Sequence, residues 1–127
     1  MTIACILLAF ATFAQKTSSK TEQDFYEIKT LPIPKEIYLE VGGLATMPDG
    51  RLAVSTRRGE IWIIENPYQT ANHQVHYKRF ASGMHEVLGL AYRDGAFYCS
   101  QRGELTKITD TDRDGVADLY EPISLIE

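Results

Sequence analysis

"GLATMPDGRLAVSTRRGEIWIIE", residues 43–65, and "GLAYRDGAFYCSQRGELTKITD", residues 89–110, are two versions of one pattern. Each runs Gly-Leu-Ala, then Asp-Gly, then Ser, then Arg-Gly-Glu. The offset between the copies falls from 46 at the first Gly to 45 at the Asp-Gly and 44 at the Arg-Gly-Glu. The runs between these marks are short and rich in Val, Ile, Leu and Tyr, the composition of strands. Asp-Gly and Arg-Gly at their ends supply the positive φ that tight hairpin turns need. A period near 45 residues built only from short strands is that of a β-propeller blade.

The spacing predicts strands over 43–47, 51–55, 60–65 and 75–80, then over 87–92, 96–100, 104–109 and 119–125. Helix is nearly absent from this reading, because no segment after residue 36 sustains apolar 3.6-residue spacing. The expected fold is all-β: the first two blades of a β-propeller, at about 43–80 and 87–125, within a domain spanning 36–127. A small β-sandwich or meander is the alternative arrangement. Propellers close with four to eight blades, and the sequence stops mid-pattern at "EPISLIE". The expectation is therefore an incomplete propeller, the N-terminal part of a longer protein whose remaining blades are missing from this chain.

Upstream of the repeat, "MTIACILLAFATFAQK" carries an apolar run from Ile3 to Phe13 that is too short to span a bilayer as a helix. It reads as a signal peptide over residues 1–14, with Thr12 and Ala14 as the small residues before a cut at Gln15; a buried strand or helix is the other reading. Residues 15–35 begin polar and end in Pro-x-Pro, which suits an extended leader. The protein is thus expected to be exported to the periplasm or beyond the cell. Removing the signal leaves Cys99 as the sole cysteine, in "AFYCSQ", the context of a small buried residue.

With 44% hydrophobic and 24% charged residues, the chain has the composition of a globular protein. Its net charge of −4 and the lack of a basic run with interleaved aromatics argue against nucleic acid as a partner. The acidity is concentrated in "DTDRDGVADLYE", residues 110–121, which fits D-x-[DN]-x-[DN]-G-x5-E at every fixed position. In that template Asp110, Asp112 and Asp114 give side-chain oxygens to calcium and Gly115 makes the turn. Val116 gives its carbonyl, Asp118 a direct or water-mediated contact, and Glu121 a bidentate carboxylate. The preceding "GELTKIT" looks like a strand, so a single calcium loop between strands fits better than an EF-hand pair. An acidic Asx-rich turn without an ion would have the same composition.

His85 and Glu86 lie just before the second blade and are candidates for proton transfer, or loop residues of no special role. Arg57 and Arg58, at the Arg-Gly corner of the first copy, could reach an anionic ligand.

Taken together, "GLATMPDGRLAVSTRRGEIWIIE" and "HEVLGLAYRDGAFYCSQRGELTKITDTDRDGVADLYE" resemble the opening blades of the glucose/sorbosone dehydrogenase-like propeller family. The likeness is to the branch at the N-terminal end of large exported membrane-bound dehydrogenase-like proteins of bacteria. The resemblance implies a six-bladed propeller that oxidises a sugar or alcohol with pyrroloquinoline quinone and binds calcium. It also implies that the catalytic histidine and the residues gripping the quinone lie beyond these two blades. Met84, His85, Glu86 and Val87 stand where the sugar-oxidising members are Gly-rich, and the haem-binding C-x-x-C-H of some long relatives does not occur here. The expected function is that of the N-terminal part of an exported dehydrogenase-like protein, free or membrane-associated, and inactive alone. A non-catalytic propeller that binds saccharide or protein, and a calcium loop on a β scaffold, are the alternatives.

Overall fold

The computed structural model of the protein describes residues 19–70 and 73–125; the signal peptide read over 1–14 lies outside them. Among the described residues eight strands form two four-stranded antiparallel meanders. The first sheet is β1 (Val41–Thr46), β2 (Leu52–Thr56), β3 (Ile61–Glu65) and β4 (His76–Ala81). The second is β5 (Gly89–Arg93), β6 (Ala96–Gln101), β7 (Glu104–Thr109) and β8 (Leu119–Leu125). Each strand begins and ends within two residues of the span that the repeat predicts. The two sheets do not close on each other.

The turns explain the shrinking offset between the copies. Asp94 and Gly95 both have positive φ, 51° and 81°, and connect Arg93 to its partner Ala96 as a two-residue hairpin turn. The first copy needs one residue more. There Gly50 N–H donates to the Met47 carbonyl, and only Gly50, at φ 86°, is left-handed. The Arg-Gly corners differ likewise: Thr56 to Glu60 is closed by a Gly59-to-Thr56 bond, whereas Gln101 pairs directly with Glu104.

The sheets meet through one face each. Alternation along β2 and β3 turns Ala53, Ile61 and Ile63 inward, and along β6 and β7 it turns Phe97, Cys99 and Ile108 toward them. Phe80 of the first sheet meets Phe97 of the second edge to face, with ring centroids 5.0 Å apart, and Tyr92 tilts against Phe97 at 4.8 Å. At β1 the backbones themselves approach. A Cβ added to Gly42 would overlap the Val87 carbonyl oxygen, and one on Gly43 would stand 2.7 Å from Leu90 N.

The leader that precedes β1 contains one short 3-10 turn, Glu22–Asp24, and no strand among its described residues. It is held to the first sheet by Gln69 Nε2 donating to the Thr30 carbonyl and Arg57 N–H donating to the Glu40 carbonyl. Leu31 shares a cleft with Leu52 and Tyr68 on the side turned away from the second sheet. Among the described residues no helix is long and apolar enough to cross a membrane.

Cys99 is fully buried, with its Sγ 3.6 Å from Met84 Sδ. Burial, reinforced by the Glu104 carboxylate, pushes its thiol up to about 11. The thiolate is the reactive species, so this side chain is inert while the sheets are packed. In a Cys5→Ser chain, a disulfide reagent at pH 8 should find no thiol in the native protein and one after urea unfolding. Prompt native labelling would mean that the two sheets separate readily.

Candidate metal centre

A meander places alternate turns at opposite ends. The loop between β7 and β8 therefore emerges beside the β1–β2 and β5–β6 turns, and it carries the acidic segment. Carboxylate oxygens of Asp110, Asp112 and Asp114 come within 4.8 Å of one another, and this is the one such cluster among the described residues. The loop holds that shape through its own carboxylates. Gly115 N–H donates to Asp110 Oδ2 at 2.8 Å, Asp114 N–H to Asp112 Oδ1 at 3.2 Å, and Val116 N–H to Asp114 Oδ1 at 2.7 Å. These bonds reverse the chain and use one oxygen of each aspartate. Gly115 takes φ 86° and Arg113 φ 63°, both in the left-handed region that such a reversal requires.

Asp110 Oδ1 is buried and has no hydrogen-bond partner among the described residues. Leaving a buried carboxylate oxygen unpaired costs about 1–3 kcal/mol or more. A hard cation coordinated by that oxygen would remove the penalty and offset the repulsion among the three carboxylates. The donor set is all oxygen and acidic, which fits calcium.

The loop is also fastened to the first sheet. Ala117 N–H donates to the Phe80 carbonyl at 2.7 Å, and Ala117 packs on the inter-sheet core. Lys78 Nζ on β4 donates to the Asp114 carbonyl at 2.7 Å. Sequence reasoning did not find Lys78, which lies 36 residues away in the chain and carries no local signal.

The remaining residues of the template are placed elsewhere. Asp118 accepts from Thr111 N–H at 2.8 Å and from the Thr111 hydroxyl, and those bonds hold its carboxyl below the ordinary value. Glu121 lies in β8 opposite Lys107, and their side chains pair at 3.1 Å. Ile108, the next residue along β7, points into the core, so Lys107 and Glu121 are on the other face of the sheet. Val116 is exposed and adjoins the cluster through its N–H. The structure thus brings together Asp110, Asp112 and Asp114, with Val116 beside them, and leaves Asp118 and Glu121 engaged with other partners.

His85 and Glu86 lie at the opposite end, both exposed, in the link between β4 and β5. Glu86 stands 3.8 Å from Arg57, and no hydrogen bond joins the His85 and Glu86 side chains among the described residues. On either side of them Met84 and Val87 are core residues.

Protein-family models, curated proteins and solved structures were all compared with the chain, and none matches it.

Proposed function

We propose that this chain is a calcium-binding pair of blades from a β-propeller of the glucose/sorbosone dehydrogenase-like kind. In this reading it is the N-terminal part of an exported sugar- or alcohol-dehydrogenase-like protein. The observation that carries the calcium reading is the buried, unpartnered Asp110 Oδ1 beside Asp112 and Asp114 in a loop shaped by their other oxygens. Two four-stranded meanders packed face to face, with Gly42 and Gly43 allowing β1 to lie against the start of β5, support the propeller reading. So does the edge strand β8, which exposes Leu119, Ile123 and Leu125 for a further sheet to cover.

Asp110, Asp112 and Asp114 would hold the ion, with the Val116 carbonyl as the backbone ligand of the template. Bound there, calcium supplies neutralising charge and fixes the β7–β8 loop against the first sheet. No residue is assigned to a quinone. The stretch that the resemblance sets beside that cofactor turns Met84 and Val87 into the core and offers only His85 and Glu86 outward.

Calorimetric titration with calcium tests this reading. We expect heat from the native chain, and at least tenfold weaker binding in Asp110→Asn and in Asp112→Asn. Glu121→Gln should bind as the native chain does, because its carboxylate belongs to Lys107. A saturating ion should also raise the unfolding midpoint, by about 2.7 kcal/mol of stability at a hundredfold excess over the dissociation constant. Negligible heat from the native chain would leave only an acidic turn.

A further inference from the structure

The repeat gives each face of the second sheet a counterpart on the first. β2 and β6 correspond at an offset of 45, as Ser55 to Ser100, and β3 and β7 at an offset of 44, as Glu60 to Glu104. Ala53 and Ile63 therefore answer to Tyr98 and Lys107, and Val54 and Ile64 to Cys99 and Ile108. The strand register agrees, since Ala53 pairs with Ile63 as Tyr98 does with Lys107. Yet the inter-sheet core takes Ala53 and Ile63 from the first sheet but Cys99 and Ile108 from the second. One face of the first sheet thus packs on the non-equivalent face of the second. Such a head-to-tail contact leaves one face of each kind unused.

The two unused faces are in different states. On the first sheet Val54 and Ile64 point away from the second sheet and are nevertheless buried, 2% and 1% exposed. The leader accounts for this. It is tied at Thr30 to Gln69 in the β3–β4 connection and at Glu40 to Arg57 in the β2–β3 turn, which lie at opposite ends of the strands. Residues 31–39 therefore cross the sheet along its length, with Leu31, Ile37 and Leu39 half-buried and Leu31 beside Leu52. The crossing segment forms no strand. On the second sheet the remaining face carries Tyr98, Leu105 and Leu119, with the Lys107–Glu121 pair among them. The first sheet and the leader both lie on its other side, and Ala91 and Leu119 on this face are exposed.

We propose that the open face of the second sheet is a docking surface for the first sheet of a second copy of this chain, and that the leader is the cap that withholds it. The contact already made within the molecule says what belongs there. Ala53, Ile61 and Ile63, the counterparts of Tyr98, Leu105 and Lys107, pack against the sheet face that carries Cys99 and Ile108. The complement of the open face is therefore a face like that of Val54 and Ile64, which the leader covers. With the leader in place the chain stays single. Once it lifts, each copy offers one face of each kind, and copies join in series. Where the first sheet has Ile63 the open face has Lys107, a charge that can be covered because Glu121 pairs it at 3.1 Å. The inference rests on the repeat and the path of the leader, and on neither the calcium nor the dehydrogenase reading.

Sedimentation velocity of the full chain and its variants is the test. Leu31→Asp/Leu39→Asp, which puts two charges under the leader, should uncap the first sheet and give a series of oligomers where the native chain is a monomer. Adding Leu105→Asp, on the open face, should return the uncapped chain to monomer. Mixed with native chain, this triple variant has its first sheet free and its own docking face spoiled, so it should double the mass to a one-to-one dimer and go no further. Leu105→Asp alone, mixed with native chain, should not associate. In a Cys5→Ser background an unreactive Cys99 establishes that each variant keeps its two sheets packed. Leu31→Ala/Leu39→Ala takes the place of the aspartates if they expose that thiol. A packed, uncapped chain that stays monomeric, oligomers that persist with Leu105→Asp, or a mixture without dimer would each overturn the docking surface. Native chain that already forms Leu105-dependent oligomers would overturn the cap.

Discussion

A Gly59→Ala chain should lose about 2–5 kcal/mol of stability, the sum of about 1–2 for a left-handed alanine and about 1–3 for overpacking. Gly50→Ala should lose only the first of these. Both glycines close hairpins at positive φ, 79° and 86°. The difference lies in what surrounds them. A Cβ at Gly50 meets nothing within 4 Å, whereas at Gly59 it would overlap the Met84 carbonyl oxygen and stand 2.6 Å from the Met84 carbonyl carbon. Both atoms belong to backbone, so no side chain can swing aside. The same two residues are joined by Met84 N–H donating to the Gly59 carbonyl at 3.1 Å, and pushing them apart also strains that bond. Urea unfolding of the three chains reads the contrast directly. Equal losses at Gly59 and Gly50 would mean that the β2–β3 turn does not press on the link between the sheets.

Phe97→Ala should cost about 3–5 kcal/mol, the range for deleting a buried aromatic side chain. Phe97 is 1% exposed and touches both Phe80 across the sheets and Tyr92 within its own. Because Phe80 reaches it from the other sheet, the cavity would open at the interface and weaken the attachment of one sheet to the other. Tyr98→Ala, one residue along β6 on the opposite face, should cost far less. Thermal unfolding followed by near-ultraviolet dichroism would report the loss and the altered aromatic packing together. A Phe97→Ala midpoint within a few degrees of the parent would place the core elsewhere.

Strand positions were legible in the sequence because turns and strands have different chemistry, and the repeat stated both twice. Gly42 and Gly43 were not. A pair of glycines at a strand start reads as mere looseness, and only the second sheet shows that they create room for a neighbouring backbone. The acidic loop was legible where its geometry is local, since Asp110, Asp112, Asp114 and Gly115 shape one another through bonds spanning five residues or fewer. Glu121 faces Lys107 because β8 is a strand, whose successive side chains alternate between faces, whereas the template is drawn for a helix after the loop.

The sorting of turns by the meander sets the acidic loop at one pole of the strands and the Arg57–Arg58 corner at the other. Strands of about six residues set the poles roughly 20 Å apart, more than twice the screening length of about 8 Å at physiological salt. Under those conditions a charge bound at one pole is screened from the other. Near 0.01 M salt the screening length reaches about 30 Å and spans the whole particle. A cation captured in the loop then shifts the electrostatic potential at the far pole as well.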